Sequence, residues 1–115
     1  MSRSWHDYIR DIREEILFLS ELFPALTLNS FITDNTIKRA IIRSLEIIGE
    51  AVKIIPEEIK SKYPIIDWKD YAGLRDKLIH HYFGIDYEIV WDALITDIPI
   101  LAEAIEKIIL EEKIL

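Results

Sequence analysis

Ile37, Ile41, Leu45, Ile48, Val52 and Ile55 follow one another at steps of three and four residues, behind Asp34 and Asn35, either of which can cap a helix. That stripe commits the middle of the chain to an amphipathic helix with one face to bury. A strand cannot present it, because strand side chains alternate between two faces. Gly49 lies inside the stripe and costs about 1 kcal/mol relative to alanine, which points to close approach of another helix or of a symmetry mate.

The same spacing recurs on both sides. Tyr8, Ile12, Leu19 and Leu22, with Ile9, Ile16 and Phe23 alongside, predict a first helix from about Trp5 to Phe23, opened by a capping box of Ser4 and Asp7. Pro24 ends or kinks it, and Leu26 to Thr33 lacks a clear period, so a connection with room for one helical turn is expected there. Pro56 suits the first turn of a short helix, Glu57 to Lys62, which Pro64 stops. Asp67 caps a third main helix, Trp68 to Phe83, with Gly84 just past its end. Asp86 caps a fourth, Tyr87 to about Leu110, which Pro99 bends; Ile89 or Val90, Ala93, Leu94, Ile98, Leu101, Ile105 and Ile108 share one side of it.

Alternating strands, repeats and low-complexity tracts are not evident. The expected fold is therefore all-α: an antiparallel bundle of four main helices plus a short helix, as a single domain over residues 1–115. Ile47, Ile54, Ile66, Ile85, Ile109 and Ile114 fall partly outside the stripes, and this apolar excess predicts a homodimer.

Composition narrows the function classes. No apolar run approaches the roughly 18 residues of a membrane span, and the N-terminus has no signal-peptide core, so no membrane role and no secretion are expected. The chain has no cysteine, which excludes disulfides, thiolate catalysis and cysteine-based zinc sites and fits a cytoplasmic protein. With 14 basic against 21 acidic residues the net charge is −7, wrong for a protein that coats nucleic acid non-specifically. Any RNA contact must be local.

Polar chemistry concentrates between Gly73 and Gly84. Arg75 is a permanently charged planar donor suited to phosphate oxygens, His80 and His81 belong to the residue type that titrates near neutrality, and Tyr82 carries a phenolic hydroxyl. Together they suggest phosphate-ester chemistry. On a regular helix Tyr82 lies about 20° from Arg75, while His81 and His80 lie about 120° and 140° away. Either the helix loosens before Gly84, or the site is composite, with Arg75 from one subunit meeting His80 from the other. His6 stands far from any other candidate ligand and reads as an ordinary helix residue. Asp67, Asp70, Asp76 and Asp86 lie near the histidines but without a metal-ligand spacing, so no metal and no other cofactor is expected. A phosphate-cradling glycine loop is absent from the sequence as well.

Arg75, four intervening residues, His80, one residue and Tyr82 resemble the Arg-x4-His-x-Tyr motif of the HEPN superfamily, in the form of the HepT-like toxins. The segments Leu45 to Ala51, Gly73 to Asp86, and Val90-Trp91 with Pro99 are similar to the family's long helix, motif helix and final helix. The resemblance spans essentially the whole chain in order. It implies a HEPN-type homodimer whose two motifs face each other, and an endoribonuclease that cuts RNA, tRNA or mRNA, without a metal. It further implies the toxin of a type VII-like toxin–antitoxin system, neutralised by a minimal nucleotidyltransferase antitoxin that adenylylates the motif tyrosine, here Tyr82.

Arg75 and His80 are the catalytic candidates, Tyr82 the RNA-binding or modified residue, and Asp76 and His81 supporting ones. Asp76 stands where relatives often have asparagine, so a carboxylate there either repels RNA or orients Arg75. The alternative expectation is a non-catalytic dimer that binds a nucleotidyltransferase partner or a nucleotide.

Overall fold

A computed structural model describes residues 3–114; at Tyr82 it describes the backbone alone, so the expected role of that side chain lies outside the described residues. The architecture is the all-α bundle expected from the stripes, and no strand occurs among the described residues. Helix α1 spans Trp5–Leu22, α3 Asn35–Ile54, α5 Trp68–His80, and a final long segment runs from α6 (Tyr87–Asp92) into α7 (Ile98–Glu111). Two short helices, α2 (Leu28–Thr33) and α4 (Glu57–Lys62), fill the connections, one more than expected.

Each helix start is set by local chemistry. The Ser4 N–H donates to the Asp7 carboxylate at 2.9 Å, and that bond is the main reason its pKa lies below the ordinary value. Asp34 accepts from the Thr36 and Ile37 amides, and Asp86 from those of Glu88 and Ile89, as capping residues do. Helix α2, where a connection with room for one helical turn was expected, has its own reciprocal cap, Thr27 with Ser30, and is anchored by the fully buried Phe31.

Ile9, Ile12 and Leu19 of α1 meet Ile41, Ile48 and Val52 of α3 and Leu101, Ile105 and Ile108 of α7 in one core. An exposed Arg13–Glu106 ion pair at 2.7 Å joins α1 to α7, and the buried Ser44 donates to Glu15 at 2.7 Å, joining α3 to α1. Tyr63, buried, sets its hydroxyl 2.9 Å from both Glu111 and Glu112 and so fastens the end of α7 to the loop before α5.

Pro99 coincides with a change of winding in the final helix. It offers no N–H to the Ile95 carbonyl and its ring crowds that carbonyl, so the chain widens into a π-helical turn over Ala93–Asp97, where the Ile98 N–H donates to Ala93 five residues back.

The apolar excess is redistributed. Ile66 and Ile114 belong to the core, Ile47, Ile85 and Ile109 are half-buried, and Ile54 is exposed. The large apolar side chains left in solvent near α5 are Ile65, Phe83, Ile89 and Ile100. Of the pair Ile89 and Val90, it is Val90 that faces the core.

Candidate functional site

Helix α5 is pinned before it reaches the polar residues. Asp67 caps it by accepting from Asp70, and the Trp68 indole donates to the carbonyls of Lys60 and Tyr63 at 3.2 Å. One turn on, the Tyr71 hydroxyl donates to the Asp97 carbonyl at 2.8 Å, tying α5 to the π turn. Burial is the first cause that raises the Tyr71 phenol pKa, so it remains a donor at any physiological pH.

The expected helix to Phe83 stops at His80. His81 leaves helical geometry at φ −126°, ψ 35°, and Tyr82–Gly84 form a 3₁₀ turn. Leu78 is the last buried side chain of α5, and beyond it no apolar face holds the helix against unfolding. Gly84 has no positive φ and does not act as a left-handed terminator. Because the helix ends before Tyr82, the angle of about 20° between Tyr82 and Arg75, which assumed a continuous helix, does not apply.

Arg75 and His80 both lie within regular helix, so their divergence of about 140° stands. Arg75 faces α3: its guanidinium reaches Glu50 at 3.5 Å and Asp76 at 3.1 Å. Asp76 in turn accepts from Lys53 at 2.5 Å. The Lys53 hydrogen bond first, and the Arg75 one next, hold the Asp76 carboxyl below the usual carboxylate range, so it is ionised at neutral pH. Of the two options for Asp76, orienting Arg75 has direct geometry behind it.

His80 and His81 are exposed on the other flank. Both line a cavity of about 590 Å³ between α5 and α6, together with Leu74, Lys77, Phe83 and Ile89. Among the described residues neither imidazole has a hydrogen-bond partner, which leaves both nitrogens of each ring open to an incoming group. A neighbouring cavity of about 580 Å³ shares Leu74, Lys77 and Ile89 and continues past Gly73 to Ile65 and Ile100. One chain therefore keeps its guanidinium and its imidazoles on separate sides of α5. Among the described residues no three histidine or acidic side chains converge as a metal site.

Glu50 as a partner of Arg75, and Lys53 as a partner of Asp76, were not legible in the sequence. The one signal was Gly49, and the structure resolves its two options in favour of another helix: α5 crosses α3 there.

A helical bundle with an Arg-x4-His-x-Tyr motif at the end of its third long helix defines a class, the HEPN type. Residues 8–108 match the family described as Ribonuclease HepT-like, and the chain belongs to that family. It is 44% identical over 108 residues to a protein of Thermococcus cleftensis named "Probable ribonuclease HepT", covering 94% of this chain and 98% of the other. A provisionally named RNase of Caldanaerobacter subterraneus is 43% identical over 92% of this chain and 95% of its own. Another, from Methanocaldococcus jannaschii, is 48% identical over 89% and 84%. No solved structure gives a significant match.

Proposed function

We propose that this chain is a metal-independent endoribonuclease that works as a homodimer, with Arg75 and His80 as catalytic residues. The observation that carries the reading is the separation of the motif's two reactive groups within one chain, combined with membership of a ribonuclease family. A second copy supplies what one chain keeps apart. The face beside His80 suits such a contact, because Ile65, Ile89 and Ile100 stand exposed around Gly73 and Phe83 beside the histidines. Among the described residues, nothing beyond α5's own adjacent backbone lies within 4 Å of where a Gly73 side chain would begin, leaving helix backbone for a neighbour to approach.

The chemistry then balances without a metal. The imidazole of one His80 takes the 2′-hydroxyl proton as the 2′ oxygen attacks phosphorus. The bond from phosphorus to the 5′ oxygen breaks, and the imidazolium of the second subunit's His80 gives that oxygen a proton. Arg75 neutralises the charge that grows on the phosphoryl oxygens. The products are a 2′,3′-cyclic phosphate and a 5′-hydroxyl. His81, in the same cavity, serves to position RNA, and Asp76 orients Arg75.

The chain is further proposed to be the cytoplasmic toxin of a type VII-like pair, a single domain silenced when a minimal nucleotidyltransferase transfers AMP from ATP to the Tyr82 oxygen, releasing pyrophosphate. The added phosphate and adenosine bring negative charge and bulk to a site meant for RNA. A second reading, a dimer that only binds the nucleotidyltransferase or a nucleotide, draws on the matching of Arg75 by two carboxylates and on the net charge of −7.

Cleavage of total tRNA and of mRNA in excess EDTA separates the two. Protein of unmodified mass is expected to cut RNA and leave cyclic phosphate ends. No cleavage of either RNA class at protein excess rejects the nuclease.

A further inference from the structure

We infer that Gly49, Glu50 and Lys53 of α3 form a seat for Arg75 and are positioning residues for the cleavage reaction, an inference that rests on the nuclease reading above. Of the three glycines, Gly49 alone is crowded. A Cβ there would run into the Cβ of Arg75 and would stand 2.7 Å from the Tyr71 carbonyl oxygen. That oxygen belongs to the α5 backbone and cannot turn aside. Gly49 therefore sets the separation of α3 and α5 at the turn that carries Arg75.

The close crossing decides how the guanidinium is held. The Arg75 side chain is only 21% exposed, and its Nε is buried without a hydrogen-bond partner. Burying a donor unpaired is unfavourable, so the side chain lies where packing on α3 puts it, not where its own hydrogen bonding would. The two terminal nitrogens emerge between Glu50 and Asp76. These partners are unequal. Asp76 is clamped by Lys53, whereas Glu50 is 61% exposed and stands off at 3.5 Å. A phosphate approaching Arg75 displaces the looser carboxylate, Glu50, while Asp76, kept in place by Lys53, continues to aim the guanidinium.

The two neighbours consequently act in opposite directions. Removing the Glu50 charge frees Arg75 for RNA; removing Lys53 releases Asp76 and lets Arg75 drift. Misplacement of a reacting group by about 1 Å costs on the order of 100-fold in rate.

The test is steady-state cleavage of a single-stranded RNA by Glu50→Gln, Lys53→Met and Gly49→Ala, each alone and on an Arg75→Ala background. Glu50→Gln is expected to lower KM by about threefold, the effect of removing one competing charge near the surface. Lys53→Met is expected to lower kcat by about tenfold with KM little changed, and Gly49→Ala to lower kcat by about 100-fold. On Arg75→Ala, Glu50→Gln and Lys53→Met should each change cleavage by less than about twofold, since residues that act through a missing group have nothing left to act on, whereas Gly49→Ala keeps its clash with the Tyr71 carbonyl.

Glu50→Gln and Lys53→Met alter surface groups and carry the test even if Gly49→Ala fails to fold. Equal effects of those two on kcat and KM, or full losses retained on Arg75→Ala, overturn the seat and leave the nuclease standing. A wild-type protein that cuts no RNA overturns the nuclease, and the seat with it.

Discussion

Replacing His80 by alanine is expected to lower RNA cleavage by about 100- to 10,000-fold, the range attributable to a positioned general acid–base group. Arg75→Ala should lose about 100- to 1,000-fold, as when one donor to a developing oxyanion is removed. His80 is exposed, and Arg75, though largely covered by α3, lies outside the apolar core, so neither change should unfold the protein. Initial rates on one labelled RNA, beside circular dichroism melting, check the pair. The losses should appear mainly in kcat for His80, whose proton transfer belongs to the transition state. If either variant cleaves within about twofold of wild type, that residue has no catalytic role.

The largest effect on stability is expected from Phe31→Ala, at about 3–5 kcal/mol. Phe31 is fully buried and packs its ring 6.0 Å from those of Tyr87 and Trp91, edge-on to the first and tilted to the second. It is the only buried side chain of α2, a six-residue helix far too short to persist without packing. Loss of the ring empties the space between α2 and α6 and frees α2 to unwind. Against a total stability of about 5–15 kcal/mol this is a large fraction, readable as a fall in the denaturation midpoint. A change below about 1 kcal/mol would mean that α2 is not held through Phe31.

That helix also shows where the sequence stops being informative. The long helices α1 and α3 announce themselves because burial of a continuous stripe forces a step of three or four residues, as from Ile37 to Val52. A segment with one anchor has no period to read, and Phe31 is such an anchor. Caps at Asp34, Asp67 and Asp86 were legible because a short acidic side chain reaches its own backbone amides whatever lies around it. The end of α5 was not, since it depends on Leu78 being the last residue with a core to face.

The same division runs through the site. Arg75, His80, His81, Asp76 and Tyr82 form a local cluster and stand out by residue type. The opposite orientations of Arg75 and His80 follow from helical geometry, and the approximate 140° between them was computable from spacing alone. Glu50 and Lys53 come from α3, more than 20 residues earlier, and only the packing of α3 on α5 brings them to Arg75 and Asp76. Gly49 marked that crossing in advance without saying which helix would arrive. The identities of Ile65, Ile89 and Ile100 as the exposed apolar face likewise needed the fold, because isoleucines at Ile66 and Ile114 turned out to be core.

The central claim is that one active site needs Arg75 from one subunit and His80 from another. Its most direct test is co-expression of the Arg75→Ala chain with the His80→Ala chain, purification of the mixed dimer by two different tags, and measurement of RNA cleavage. Each parent homodimer lacks one group entirely. A composite site predicts that the mixed dimer cuts RNA at least about tenfold faster than the His80→Ala parent, since it again holds an intact Arg75 opposite an intact His80, and slower than wild type, since one of the two His80 side chains is missing. A folded mixed dimer no more active than the His80→Ala parent would contradict the composite site and require both groups to act from the same chain.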